Sequence, residues 1–141
     1  MKRILWILPA AAVLLGASPA IADDSARTPT ETAAAYLAAM EVSDLDAAEA
    51  LFVEDSLIFE TGGVEGSWSE YRDHHIGPEL DAIESFRMAH AQPTEQKSDD
   101  GTMAFVAWPI EYTIELSDGR VIESRGTVTF VLESHGHHFM I

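Results

Sequence analysis

No cysteine occurs in the 141 residues, which excludes disulfides, thiolate metal sites, a cysteine nucleophile and a cysteine-linked lipid anchor. Basic side chains are also scarce, with 8 Lys and Arg against 24 Asp and Glu and a net charge of -16. Such a surface repels phosphates instead of displacing their counterions, so nucleic acid is excluded as a partner. The chain has no Gly-x-Ser-x-Gly, no phosphate-binding glycine loop, no dinucleotide fingerprint, no His-Glu-x-x-His and no EF-hand spacing. Each missing motif removes one class of hydrolase, nucleotide enzyme, zinc protease or calcium protein. No cofactor is expected.

Long apolar runs are few as well. Ile4 to Leu15 is apolar but broken by Pro9, and it falls short of the ~20 residues that span a bilayer. Met1-Lys2-Arg3 precedes it, and Ala20-Ile21-Ala22 follows as an A-x-A cleavage site. This pattern predicts a secretory signal peptide over residues 1–22. It leaves one domain over residues 23–141, periplasmic or secreted, with no membrane partner after cleavage. The whole chain is 47% hydrophobic and 23% charged, the balance of a folded domain rather than of a disordered segment or a coiled coil.

Three helix starts are legible. Thr28-Pro29-Thr30-Glu31 combines an N-cap, a first-turn proline and a capping-box glutamate. Ala33, Tyr36, Leu37 and Met40 follow at helical spacing and predict one buried face. Ser43-Asp44-Leu45-Asp46 opens a second, shorter helix with Leu45, Ala48, Leu51 and Phe52 inward. Ser67-Trp68-Ser69-Glu70 is a further capping box, predicting a helix from Trp68 to His75 that stops near Gly77-Pro78. Between the second and third helices, Val53 to Phe59 is expected as a strand ended by Thr61-Gly62-Gly63.

The period then changes from helical to two. Phe86, Met88 and His90 alternate with Arg87 and Ala89, and Pro93 to Gly101 is expected as a polar loop. Ala104, Val106, Trp108, Ile110, Tyr112, Ile114 and Leu116 share one face of a long strand, where Pro109 implies a bulge or an edge. Asp118-Gly119 makes a hairpin turn, and the return strand places Ile122, Val128, Phe130 and Leu132 on one face. His135-Gly136 is a further turn. Segregated helices on one face of a curved antiparallel sheet make an α+β fold, with a concavity between the layers where a ligand would sit.

This order, with particular residues, resembles the SnoaL-like branch of the nuclear transport factor 2-like superfamily, the cone fold shared with ketosteroid isomerase. The matching stretches are Asp44-Leu45-Asp46-Ala47-Ala48 into Leu51-Phe52, then Val64-Glu65-Gly66, and Tyr71-x-x-His74-His75 with Glu79. They continue through Asp118-Gly119-Arg120 and Gly126-Thr127-Val128-Thr129-Phe130-Val131-Leu132. The resemblance implies three helices from the N-terminal half packed on the concave face of a cone-shaped sheet. It allows isomerases, cyclases, dehydratases and plain ligand binders. Two departures stand out. Phe139 takes the place of a tryptophan usual after the last hairpin, and the final strand is then only about four residues, short against a mean near 5–6, with its edge unpaired. No carboxylate matches the isomerases' general base.

Trp68, Tyr71 and His75 fall at i, i+3 and i+7, on one helix face. His90 shares a strand face with Phe86 and Met88, and Trp108 and Tyr112 lie on the core face of the longest strand. These six are the expected lining of an apolar pocket with polar tips, and His75 with Tyr71 is the candidate proton-handling pair. The same residues suit plain core packing, their polar tips satisfied by backbone or water. Glu84 shares the strand parity of His90 but lies too far along it to form a dyad. His74 and His75 point about 100° apart on a helix, and His135, His137 and His138 sit near the terminus, so no metal site is expected.

The leading expectation is therefore an exported domain that binds a small apolar or carbonyl-containing molecule. The alternatives are an isomerase or dehydratase working through His75 and Tyr71, and a structural module that dimerises. Met103, Phe105 and Ala107 on the outer sheet face favour a homodimer.

Overall fold

The computed structural model describes residues 26–141, and the leader expected over residues 1–22 lies outside them. Helix α1 (Pro29–Glu41) starts as its sequence demands: the Glu31 N–H donates to the Thr28 hydroxyl at 3.2 Å, and the Thr28 N–H donates to the Glu31 carboxylate at 2.8 Å. Two orphan donors are satisfied at once. Those bonds hold the Glu31 carboxyl below the usual carboxylate range. Helix α2 (Leu45–Glu49) is capped by Asp44. No helix among the described residues is long and apolar enough to cross a membrane.

A hairpin of β1 (Ile58–Glu60) and β2 (Gly63–Gly66) follows. The strand expected over Val53 to Phe59 is thus a three-residue strand at the end of that stretch. Thr61-Gly62 turns the chain back instead of ending the element, with both residues at positive φ. Helix α3 (Trp68–Tyr71) begins on the Ser67–Glu70 capping box. It widens through a π turn over Arg72–Ile76 and resumes as α4 (Gly77–Leu80). Gly77-Pro78 therefore does not stop the helical path. Proline cannot donate to the preceding turn, and the wide turn carries the chain past it by bonding the Gly77 N–H to the Arg72 carbonyl.

The main sheet holds β3 (Ile83–His90), β4 (Thr94–Lys97), β5 (Met103–Leu116), β6 (Val121–His135) and β7 (His138–Met140), all antiparallel. β5 is its spine. β6 lies along one side of it, while β3 and β4 share the other, against its C-terminal and N-terminal halves respectively. The stretch expected as a loop from Pro93 to Gly101 thus contains β4. All four β4 residues are exposed, so no apolar alternation marked it. Pro109 pairs with Thr127 in an unbroken β5–β6 register, which leaves the edge reading and excludes the bulge. The Ala91 N–H donates to the Pro109 carbonyl at 3.1 Å, and a residue's N and C=O point to the same side of a strand. The missing N–H therefore faces the gap between β3 and β4, where no ladder bond is lost.

Burial on β5 alternates as expected, with Ala104, Val106, Trp108 and Ile110 inward. They meet Ala33 and Leu37 of α1 and Phe130 and Leu132 of β6 in the larger core. The short last strand, expected to leave an open edge, is covered within the chain. The Phe139 N–H donates to the Arg27 carbonyl at 3.2 Å, Val53 and Leu51 bond both backbone groups of Ile141 at 2.8 Å, and the buried Thr32 hydroxyl donates to the Phe139 carbonyl at 2.7 Å. The architecture is α+β, with helices against a strongly curled antiparallel sheet.

Candidate functional site

Two capping boxes and one wide turn place the chemistry. The α3 start buries Trp68 and Tyr71 at 5% and 6% exposure, on the second core with Met40, Ala48 and Ile58. The Trp68 ring stacks on Phe52 at 4.8 Å and meets Tyr36 edge-on at 6.4 Å. Tyr71 lies 6.1 Å beyond Trp68, and His75 lies 5.2 Å beyond Tyr71. The Trp68–Tyr71–His75 row predicted from spacing thus exists, even though the π turn intervenes. Its neighbours Tyr36 and Phe52 were legible only as core residues.

Three carboxylates surround the outer end of this row. The Tyr71 hydroxyl donates to Glu60 Oε2 at 3.0 Å. His75 Nδ1 lies 2.9 Å from Glu65 Oε2, while its Nε2 lies 3.4 Å from Glu79 and 3.7 Å from Glu60. The Glu65 hydrogen bond raises the His75 pKa above the ordinary histidine value, aided by the charges of Glu60 and Glu79 and opposed by burial. Burial, with Tyr36 and Glu60 beside it, pushes the Tyr71 phenol far up. Tyr71 therefore remains a donor, and the carboxylates around His75 favour its protonated form. Glu60 and Glu65 were not singled out as site residues. Reading Thr61-Gly62 as a hairpin turn would have found them, because it pairs Glu60 with Gly63 and sets Glu65 two residues further along the same face.

The other three expected lining residues stand apart from this row. Trp108 is buried, yet its Nε1–H already donates to the Ala91 carbonyl at 2.7 Å. His90 meets the Trp108 ring edge-on at 5.6 Å and is itself exposed. Tyr112 contacts Phe86 at 6.2 Å and borders an open groove of about 720 Å³ with Arg87, Met88 and Arg125. The six thus form three ring groups, and Met88 packs against both cores.

The histidines near the C-terminus also stand apart. His135 pairs with Glu133 at 2.6 Å, and His138 belongs to β7. Among the described residues no group of three or more His, Asp or Glu is arranged to hold a metal ion. Met103 and Phe105, on which the homodimer expectation rests, are exposed on the outer sheet face, and Ala107 is half-buried.

No family model and no curated sequence matches the chain. Solved structures do. A nuclear transport factor 2-like superfamily protein from Salmonella enterica aligns with a TM-score of 0.67 and 18% identity, over 79% of this chain and 84% of that one. The fold is that of the nuclear transport factor 2-like superfamily. A protein from Shewanella frigidimarina, provisionally designated a ketosteroid isomerase, aligns with a TM-score of 0.64 and 19% identity, over 77% and 89% of the two chains. Another from Streptomyces avermitilis, provisionally designated a dehydratase of the same family, aligns at 0.62 and 14% identity over 77% and 86%. At these identities the likeness establishes the cone fold, and function has to be argued from the site.

Proposed function

We propose that this domain binds a small, largely apolar molecule carrying a carbonyl or similar acceptor, held against Phe52, Trp68 and Tyr71 of the nuclear transport factor 2-like cone. One observation carries this reading. The Trp68 Nε1–H is buried and has no hydrogen-bond partner among the described residues. An unmet buried donor costs about 1–3 kcal/mol, and a ligand oxygen would satisfy it. The aromatic rings supply the apolar contact that would accompany such a bond. Several structural neighbours are named for enzymes of small organic molecules, among them a polyketide cyclase and a scytalone dehydratase, both provisionally designated.

Nile red, a neutral apolar dye with a carbonyl, tests the reading. Titration into the purified protein is expected to give a saturable rise in emission. Trp68→Phe keeps a ring but removes the donor, and is expected to weaken binding about five- to tenfold. Emission that never saturates, or equal affinity in the variant, overturns the proposal.

The chain from Tyr71 through Glu60 to His75 favours a second reading, in which the site moves a proton on the bound molecule as an isomerase or dehydratase does. The Tyr71 O–H would turn from Glu60 to the carbonyl oxygen, and the Glu60 carboxylate, positioned by His75, would accept and return the proton at the adjacent carbon. This reading predicts exchange of α-hydrogens with deuterated water in a cyclic ketone. The exchange should disappear in His75→Ala while the circular dichroism is retained. Equal exchange in the two proteins removes it.

A further inference from the structure

We propose that the β1–β2 hairpin is a pH-sensitive flap over the Trp68 site, latched to the helical side by His75 and released as the imidazolium loses its proton. The inference rests on the ligand-binding reading above, because it concerns access to that same site. Its geometry begins with the sheet. Among the described residues β1 and β2 pair only with each other and stand outside the five-stranded sheet, so no backbone ladder there anchors them.

Their two faces differ. Ile58 packs inward on the core that contains Trp68 and Tyr71. Phe59 and Val64, a cross-strand pair, are each 67% exposed on the other face, with Leu57 exposed beside them. The hairpin thus lies against the aromatic site through Ile58 and Glu60, while its other face is exposed among the described residues. At its C-terminal end Gly66, at φ +91°, joins it to the rigid Ser67 cap. A Cβ there would collide with the Glu70 side chain, so this joint requires glycine.

The polar ties from the inner face converge on two side chains. Glu60 accepts from Tyr71, and both Glu60 and Glu65 face His75, with Glu79 of α4 meeting the same ring from the helical side. Carboxylates thus stand at both ring nitrogens. A neutral imidazole has a single N–H and turns a lone pair toward one of them. Only the doubly protonated ring satisfies both sides. Deprotonation also leaves the charges of Glu60, Glu65 and Glu79 facing one another without a cation between them.

The sign follows from the raised His75 pKa. The latch is complete below the ordinary histidine value near 6.5 and is lost as pH rises through the higher folded-state value. Opening therefore belongs to the alkaline side. The Tyr71–Glu60 bond persists there, because the phenol titrates far above this window, so deprotonation loosens the hairpin at its Glu65 side and does not detach it.

Amide hydrogen exchange followed by mass spectrometry at pH 6 and pH 9, corrected for intrinsic rates, tests the latch. Exchange over residues 58–66 is expected to rise about tenfold or more at pH 9, with β5 and β6 unchanged, as loss of one charge-assisted bond implies. His75→Gln should show the open level at both pH values. The association rate of Nile red should rise with pH in parallel. Flat exchange over residues 58–66 in the unmodified protein, or a rise shared by β5 and β6, overturns the flap. Flat exchange with saturable Nile red binding rejects the flap and leaves the binding site standing. Hairpin opening without any Nile red binding rejects the binding site, and with it the gating role.

Discussion

Trp68→Ala is expected to lower stability by about 3–5 kcal/mol, the cost typical of emptying a buried aromatic position. The indole is 5% exposed and touches three other rings, at 4.8 Å from Phe52, 6.1 Å from Tyr71 and 6.4 Å from Tyr36. Each such contact contributes roughly 0.5–1.5 kcal/mol beyond the area it buries. Little backbone can collapse into the space, because the capping box fixes Ser67 and Glu70 on either side. Against a typical total of about 5–15 kcal/mol this is a large share. Urea unfolding at constant m-value measures it. Trp68→Phe should cost far less, because it keeps a ring in the stack and removes an N–H that has no acceptor among the described residues. A loss below about 1 kcal/mol for Trp68→Ala would mean that the ring is not part of the packed core.

Gly77→Ala is expected to destabilise the protein by about 1–3 kcal/mol, opposite to the ordinary helical rule, in which alanine gains up to about 1 kcal/mol over glycine. The reason is local. A Cβ on Gly77 would run into the Arg72 carbonyl oxygen, which already accepts the Gly77 N–H across the π turn. Backbone cannot swing aside as a flexible side chain can. The turn would have to tighten toward ordinary helix, where Pro78 has no N–H to offer, and Arg72 would shift away from Asp46 and Glu49. His75 would move with it, away from Glu60 and Glu65. Thermal unfolding gives the sign, and the histidine Cε1–H resonance gives the ring's titration. Alanine that stabilises the protein would show that the wide turn is absent.

The wide turn also marks where local reading fails. The capping boxes at Thr28–Glu31 and Ser67–Glu70 were legible because both partners lie within three residues. The β5 alternation was legible because one face of a central strand is buried for many residues in succession. β4 was not, since Thr94 to Lys97 lies entirely on the surface and pairs through backbone alone. Pro109 shows the middle case. Its residue type announced a break in the ladder, but only the placement of β3 and β4 showed that the break faces a gap.

The sequence by itself determined an acidic domain with three capped helical starts and a long two-strand hairpin on one side of a core. These features depend on spacing, on proton donors and acceptors a few residues apart, and on a charge that any fold would carry. It also placed Trp68, Tyr71 and His75 on one side of a helical path. The tertiary structure decided what faces them. Glu60 and Glu65 reach His75 only because a tight turn folds β1 against β2, and Glu79 joins them only because the helical path continues through Pro78. An imidazole's charge state depends on what stands at both of its nitrogens, and those neighbours come from separate segments of the chain.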